Sequence, residues 1–352
     1  MANDQGQIRV AYLSLSRFED PNAGSGIPRY ARELYSNLEL LKKPNIKLEK
    51  IVMKSYGEFG DAASAEINTI MGRLSRYDVV HSPSFFLMAR GLRKDIKYVV
   101  SVHDLNPMMH NTMKGKAWYY LFFRRAIRYT NKRADHIIAS STQTVDELIK
   151  AGFDERKITM VSLGIDKKFT ETKRHVSRNR DKSFKIGYIG SLAPNKNVEM
   201  LVNASMRLPK SFITEIWGAK SLEYGTLSNR AQAYNNIKFM GFLPETNIID
   251  TYDSFDVFVF PSKYEGFGLP ILEAQARGIP VIIYKDGKIP REVQKYCFKA
   301  RDPDDMARII LQIKENGYDS KMRKKAMGYA KGFTWERTAR DTLKVYEKVC
   351  TV

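Results

Sequence analysis

The chain alternates short, β-branched apolar runs with longer amphipathic stretches, and it does so twice. In the first half the runs are IRVAYLSLS (8–16), IKLEKIVM (46–53), YDVVHSPS (77–84), YVVSVHD (98–104) and HIIASS (136–141), with helical patterns such as Ile27 to Leu41 and Tyr119 to Lys132 between them. Runs this short and this rich in Val and Ile read as strands, and a strand–helix alternation implies a parallel sheet covered on both faces. The same grammar restarts with FKIGYIGS (184–191), FITEIWGA (212–219), NIKFMGF (236–242), VFVFPS (257–262) and PVIIYKD (280–286). Two doubly wound α/β halves follow, and at roughly 150 residues per domain a chain of 352 has room for both. Between them, KKFTETKRHVSRNRDKSFK (167–185) is polar, basic and almost free of apolar side chains, the composition of an exposed connection.

Composition narrows the setting. A chain that is 43% hydrophobic and 11% aromatic is folded throughout rather than disordered. The only cysteines, Cys297 and Cys350, are too few for a disulfide framework or a Cys-based zinc site, which favours a reducing compartment. The N-terminus has no basic region followed by an unbroken apolar core, and no stretch approaches the roughly 20 apolar residues that span a bilayer. A cytoplasmic protein is expected, with a peripheral place on the inner face of the membrane left open. The net charge of +19 favours polyanions, anionic headgroups or phosphorylated small molecules without choosing among them.

The chemistry concentrates in VFVFPSKYEGFGLPILEAQARGIPVI (257–282), where an apolar strand runs into a Gly-bearing turn and then a helix opened by Pro270. In a doubly wound sheet such a turn lies at the carboxyl end of a strand, where ligands bind. The helix start presents unpaired N–H groups and a positive dipole end to an anion. Gly266 and Gly268 let the backbone approach a phosphate. Glu265 and Glu273, separated by seven residues, are placed to accept hydroxyl hydrogen bonds, Glu265 beside the phosphate and Glu273 from a ribose about one turn into the helix. A nucleotide-sugar is the ligand that needs all three features.

The segment resembles the E-x7-E signature of retaining glycosyltransferases of the GT-B fold, and closely resembles glycosyltransferase family 4. Further matches run through most of the chain in the family's order: GSGIPRYARELYSNL (24–38), VHDLNP (102–107), ADHIIASS (134–141), VSLGID (161–166), YIGSLAPNKNVEMLV (188–202), GFLPE (241–245) and FTWERTA (333–339). The resemblance implies a GT-B architecture, two Rossmann-like domains facing across a cleft. The domains expected are an acceptor domain over 1–175, a donor domain over 176–334 and a terminal helix over 335–352 crossing back to the first.

The implied activity is retaining transfer of a hexose-type sugar from a nucleotide-sugar, such as a UDP- or GDP-sugar, to a glycan, a lipid-linked acceptor or another hydroxyl. The resemblance assigns Glu265 to hydroxyls of the transferred sugar, Glu273 to the ribose and Lys196 to the donor diphosphate, where an ammonium stabilises the charge growing on the leaving group. His103 is placed near the reacting centre, while His81 reads as a strand-end histidine bonded to backbone. Gly24, Gly26, Gly190, Ser191, Gly218, Leu243, Phe267 and Leu269 complete the expected donor contacts. The family often has an Arg where Ser191 or Asn195 stands here, so one cationic phosphate contact is missing unless Arg29 or another residue replaces it. No D-x-D pair stands at a loop where a metal–diphosphate site would form, and no H-E-x-x-H-like pairing is present, so no metal and no cofactor beyond the co-substrate is expected. Arg29 occupies the last position of what would be a G-x-G-x-x-G, which disfavours a nicotinamide-dependent reductase.

Residues 114–133 hold seven Lys or Arg and no acid, interleaved with aromatics. Lys116, Trp118, Arg124, Arg125 and Arg128 are candidate contacts to an anionic membrane or the acceptor. The competing reading packs Trp118, Leu121, Phe122 and Tyr129 on the first sheet and leaves the cations solvated. Nucleic acid ranks below membrane, because no recognisable nucleic-acid module is present. Two rival functions remain: a nucleotide-sugar epimerase on a similar fold, and a polyanion-binding protein with a vestigial donor pocket.

Overall fold

The computed structural model describes residues 7–20, 26–54, 72–87, 92–105, 117–172, 183–219 and 224–351. They form two compact units, one of Met1–Gly164 with Thr334–Val352 and one of Ile165–Phe333.

The first unit holds a six-stranded parallel sheet in the order β2-β1-β3-β4-β5-β6. Its strands are β1 (Ile8–Leu15), β2 (Ile46–Met53), β3 (Val79–Ser82), β4 (Lys97–Val102), β5 (His136–Ala139) and β6 (Ile158–Met160). The central β3 and β5 are buried along their whole length, as strands covered on both faces must be. Helix α1 (Ile27–Leu41) buries Tyr30, Ala31, Leu34, Tyr35 and Leu38, one apolar stripe at helical spacing. It starts at Gly26, whose φ of 95° is open to glycine at no steric cost, with Pro28 in the first turn. Helices α2 (Ala117–Arg133) and α3 (Thr142–Lys150) follow, and the Ser141 hydroxyl caps α3 by accepting from the Thr144 N–H.

The second unit repeats the plan. Its sheet runs β12-β11-β10-β7-β8-β9, with β7 (Phe184–Ile189), β8 (Phe212–Trp217), β9 (Ile237–Gly241), β10 (Val257–Phe260), β11 (Val281–Tyr284) and β12 (Cys297–Ala300). Between strands lie α4 (Lys167–Glu171), α5 (Val198–Ser205), α6 (Tyr224–Ala231), α7 (Ile248–Ser254), α8 (Leu269–Ala276) and α9 (Arg291–Gln294). Helices α10 (Pro303–Asn316) and α11 (Ser320–Ala330) close the unit, and α12 (Trp335–Cys350) returns to the first, where it packs on α1.

The units divide at Gly164 and Ile165, ahead of the basic stretch rather than within it. Helix α4 explains the difference. Phe169 is fully buried edge-on to Tyr252, and Arg277 donates to the carbonyls of Phe169 and Thr172, so this segment belongs to the second unit. Strands β6 and β12 were not anticipated from the sequence. Both are short edge strands with exposed positions, so neither carries the continuous apolar run that marks the central strands.

Candidate functional site

In the second unit, β7 is flanked by β8 on one side and by β10 on the other, so the direction of chain winding reverses between β7 and β10. The loops leaving two such strands diverge and open a crevice at their carboxyl ends, the switch point where ligands of open α/β sheets bind. Lys196 follows β7 and Glu265 follows β10. The Lys196 Nζ donates to both carboxylate oxygens of Glu265, at 2.7 and 2.8 Å, with side chains 20% and 9% exposed. Two candidates separated by 69 residues are therefore one charged pair at the switch point.

Backbone bonds hold the pair in place. The Lys263 N–H donates to the Asn195 carbonyl, the Lys288 N–H to the Lys263 carbonyl, and the Glu265 N–H to the Lys288 carbonyl. The Asn197 side-chain amide adds a bond to the Pro261 carbonyl at 3.1 Å. The loops after β7, β10 and β11 are thus interlaced. Helix α8 starts beside Glu265 at Gly268, whose φ of 101° favours glycine, and this N-cap residue makes no side-chain cap bond to the first N–H groups. Buried Ser262, just past β10, has a hydroxyl with no hydrogen-bond partner among the described residues.

Glu273 lies in α8 and is 2% exposed, its Oε2 accepting from the Tyr252 hydroxyl at 2.8 Å. Phe267 is also buried, its ring directed at Phe333, so what it offers a ligand is backbone. Leu269 is buried, while Gly266 and Leu243 are half-buried. Gly190, Gly218 and Gly241 form a seam along the ends of β7, β8 and β9: the Gly218 N–H donates to the Gly241 carbonyl, and a Cβ on Gly218 would overlap the Gly190 carbonyl oxygen. Exposed Ser191 stands at one end of this seam, its carbonyl accepting from the Tyr188 hydroxyl.

In the first unit, half-buried His103 follows β4. Its Nε2 lies 3.0 Å from the Pro83 carbonyl, which can only accept, so the proton is on Nε2 and Nδ1 is left as an acceptor. Burial pulls the imidazole pKa down to about 4, against the opposite pull of the Pro83 carbonyl, so the ring is neutral near pH 7. His81 departs from expectation. It is fully buried and bonds to side chains, with Nδ1 2.6 Å from the Tyr346 hydroxyl and Nε2 2.8 Å from the Ser101 hydroxyl. It is His103 that bonds a backbone carbonyl. Gly26 is the N-cap of α1, whereas Gly24 lies outside the described residues. Arg29 is 8% exposed in the first turn of α1.

A family model described as "Glycosyltransferase Family 4" matches residues 28–169, and one described as "Glycosyl transferases group 1" matches residues 169–333. The chain belongs to glycosyltransferase family 4. The O-antigen chain mannosyltransferase B of Escherichia coli is 30% identical over 171 residues, covering 46% of this chain and 45% of that protein. A D-inositol 3-phosphate glycosyltransferase of Paenarthrobacter aurescens (strain TC1) is 28% identical over 309 residues, covering 78% and 73%. The chain thus spans under half the length of the first relative and most of the second. In fold it is similar to sucrose-phosphate synthase from Thermosynechococcus elongatus, with a TM-score of 0.80 at 16% identity over 98% of this chain and 100% of that one. It is also similar to Anabaena HepE in complex with UDP-glucose, with a TM-score of 0.73 at 17% identity over 98% and 100%. The fold is GT-B, with two Rossmann-like domains.

The basic stretch 114–133 contributes α2. Its buried face is Phe123, Ala126, Ile127 and Thr130, with Phe122 and Tyr129 packed beside the core. Leu121, turned inward on the competing reading, is 62% exposed and shares the outer face with Arg125, Arg128 and Lys132. The aromatic content had concealed this phase, because the period alone admits either face. Arg124 lies over the Tyr120 ring at 5.7 Å. Lys116 and the Trp118 side chain fall outside the described residues. Among the described residues no helix is long and apolar enough to cross a membrane, and no three His, Cys, Asp or Glu side chains gather as metal ligands.

Tyr252, Ser262, Asn197, Tyr30, Ser101 and Tyr346 all touch or support these positions and none was read as functional from the sequence. Ser262 stands inside the recognised motif, where its place before the turn was a usable signal. The others join the site only through contacts between distant segments.

Proposed function

We propose that this chain is a retaining glycosyltransferase that moves a hexose-type sugar from a UDP- or GDP-sugar to a glycan or lipid-linked hydroxyl, without a metal ion. The observation that carries the reading is the Lys196–Glu265 pair at the switch point beside the glycine-capped start of α8. A pyrophosphate meets there an ammonium and a helix N-terminus, which supply the positive charge a metal would otherwise bring. In this reading Glu265 accepts from a sugar hydroxyl and Glu273 from the ribose. The names of the relatives, a mannosyltransferase and an inositol phosphate glycosyltransferase, and of a structural neighbour holding UDP-glucose, agree with this class of substrate.

Retention is assigned to a front-face reaction. The glycosidic C–O bond breaks, the leaving phosphate oxygen takes the acceptor hydroxyl's proton, and the new C–O bond forms on the same face. Lys196 stabilises the charge on the departing diphosphate. His103, neutral and with Nδ1 as acceptor, takes a hydrogen bond donated by a sugar hydroxyl. A covalent sugar trapped on a Glu or Asp during turnover would overturn the front-face route.

The test is a thermal-shift panel of UDP-, GDP- and ADP-sugars followed by turnover of the stabilising donor. A donor at 100 times its Kd stabilises by about 2.7 kcal/mol. Lys196→Ala and Glu265→Gln are expected to abolish the shift or the transfer. A panel in which no donor binds, or variants that transfer at the wild-type rate, would reject the assignment. Sugar conversion without acceptor would instead favour an epimerase.

The outer face of α2, with Leu121 amid Arg125, Arg128 and Lys132, is assigned to an anionic lipid surface at the inner face of the membrane, where the acceptor is held. Wild type should co-sediment with phosphatidylglycerol vesicles and not with phosphatidylcholine, and Arg125→Glu with Arg128→Glu should release it. Equal recovery of the variant, or binding to nucleic acid alone, would rule this out.

A further inference from the structure

A line of four buried polar side chains crosses the first domain. Tyr346, on α12, lies 2.6 Å from Nδ1 of His81 on β3; His81 Nε2 lies 2.8 Å from the Ser101 hydroxyl on β4; and Ser101 lies 2.8 Å from the Tyr30 hydroxyl on α1. None of the four is more than 2% exposed. At the end of the line the Tyr30 ring meets His103 edge to face, with centroids 4.4 Å apart and planes at 73°.

Apolar side chains would fill this space without desolvating any polar atom, so packing alone does not account for the series. What hydrogen bonds add to packing is direction. His81 is neutral, burial holding its pKa down at about 3, so one ring nitrogen donates and the other accepts. Either sense of donation satisfies all three bonds. The series carries no net charge and acts on its end only by fixing where the Tyr30 ring lies. Among the described residues, the Pro83 carbonyl at Nε2 and the Tyr30 edge contact both restrain the His103 ring.

We propose that Tyr30 is a positioning residue for His103, held by Ser101, His81 and Tyr346, so that the C-terminal helix sets the orientation of the His103 imidazole from within its own domain. This rests on the reading that His103 acts in transfer.

The test uses the full chain. Tyr30→Phe, Tyr346→Phe and Ser101→Ala each remove one oxygen and leave almost no cavity. Tyr35→Phe, on the same helix but bonded to Glu39, is the control. Transfer kinetics at saturating donor are combined with nitrogen-15 spectra of the His103 ring. Loss of one hydrogen bond of ordinary worth corresponds to a fall of about fivefold in kcat. We expect Tyr30→Phe and Tyr346→Phe to lower kcat by about that factor, to leave the donor KM unchanged and to shift the His103 nitrogen resonances, while Tyr35→Phe does none of these. Should either variant fail to fold, Ser101→Ala gives the same readout from the middle of the series. If His103→Gln transfers as wild type does, the reading of His103 falls and this proposal with it. If His103→Gln is impaired while the hydroxyl variants keep wild-type kcat and His103 resonances, the proposal alone is overturned.

Discussion

Removing the carboxylate of Asp253 tests how much the second domain depends on one buried ion pair. Asp253 and Arg277 are 3% and 2% exposed, and two parallel bonds join them, Nε to Oδ1 at 2.8 Å and Nη2 to Oδ2 at 2.7 Å. The remaining Arg277 nitrogen donates to the carbonyls of Phe169 and Thr172 at 3.2 and 2.6 Å, so the guanidinium also anchors the chain entering this domain. Asp253→Ala leaves a buried cation with half its partners, which costs about 3–5 kcal/mol. In a domain of this size about 4 kcal/mol lowers Tm by roughly 8–16 °C. Replacing both members by apolar residues removes the stranded charge, so Asp253→Leu with Arg277→Met should be more stable than Asp253→Ala alone. Urea and thermal unfolding, followed for two transitions because there are two domains, provide the measurement. A loss below about 1 kcal/mol for Asp253→Ala, typical of an exposed pair, would refute the argument.

Three further outcomes are expected. Gly218→Ala drives a methyl into the Gly190 carbonyl oxygen, which should cost about 1–3 kcal/mol and weaken donor binding; unchanged stability and donor affinity would contradict the seam. Phe123→Ala should lose about 3–5 kcal/mol while Leu121→Ala stays within about 0.5 kcal/mol, and the reverse order would overturn the phase of α2. His81 has its folded pKa lowered from 6.5 to about 3, so the unfolded chain binds the extra proton. Its contribution is fully present above pH 6.5 and is lost by about 1.4 kcal/mol per pH unit as pH falls toward 3, so a urea midpoint that rises on acidification from pH 7 to 5 would refute it.

Much of this molecule was legible in one dimension, for a physical reason. A strand covered on both faces must be continuously apolar, so β1, β3, β4, β5, β7, β10 and β11 announce themselves. A turn with Gly266 and Gly268 between an apolar strand and a Pro-opened helix carries its chemistry within a dozen residues, and that is a local signal. The edge strands β6 and β12, half exposed, have no such constraint and left no pattern.

Tertiary structure alone decided which distant groups meet. Lys196 and Glu265 become a pair only because β7 and β10 are neighbours in the sheet, an adjacency that no spacing in the chain encodes. The same holds for His81, whose partners Ser101 and Tyr346 are 20 and 265 residues away, and whose bonding was the opposite of what its place at a strand end suggested. Periodicity assigns a residue to a face of its own element, whereas hydrogen-bond partners depend on which elements pack together, and sheet order and helix docking are properties of the folded chain.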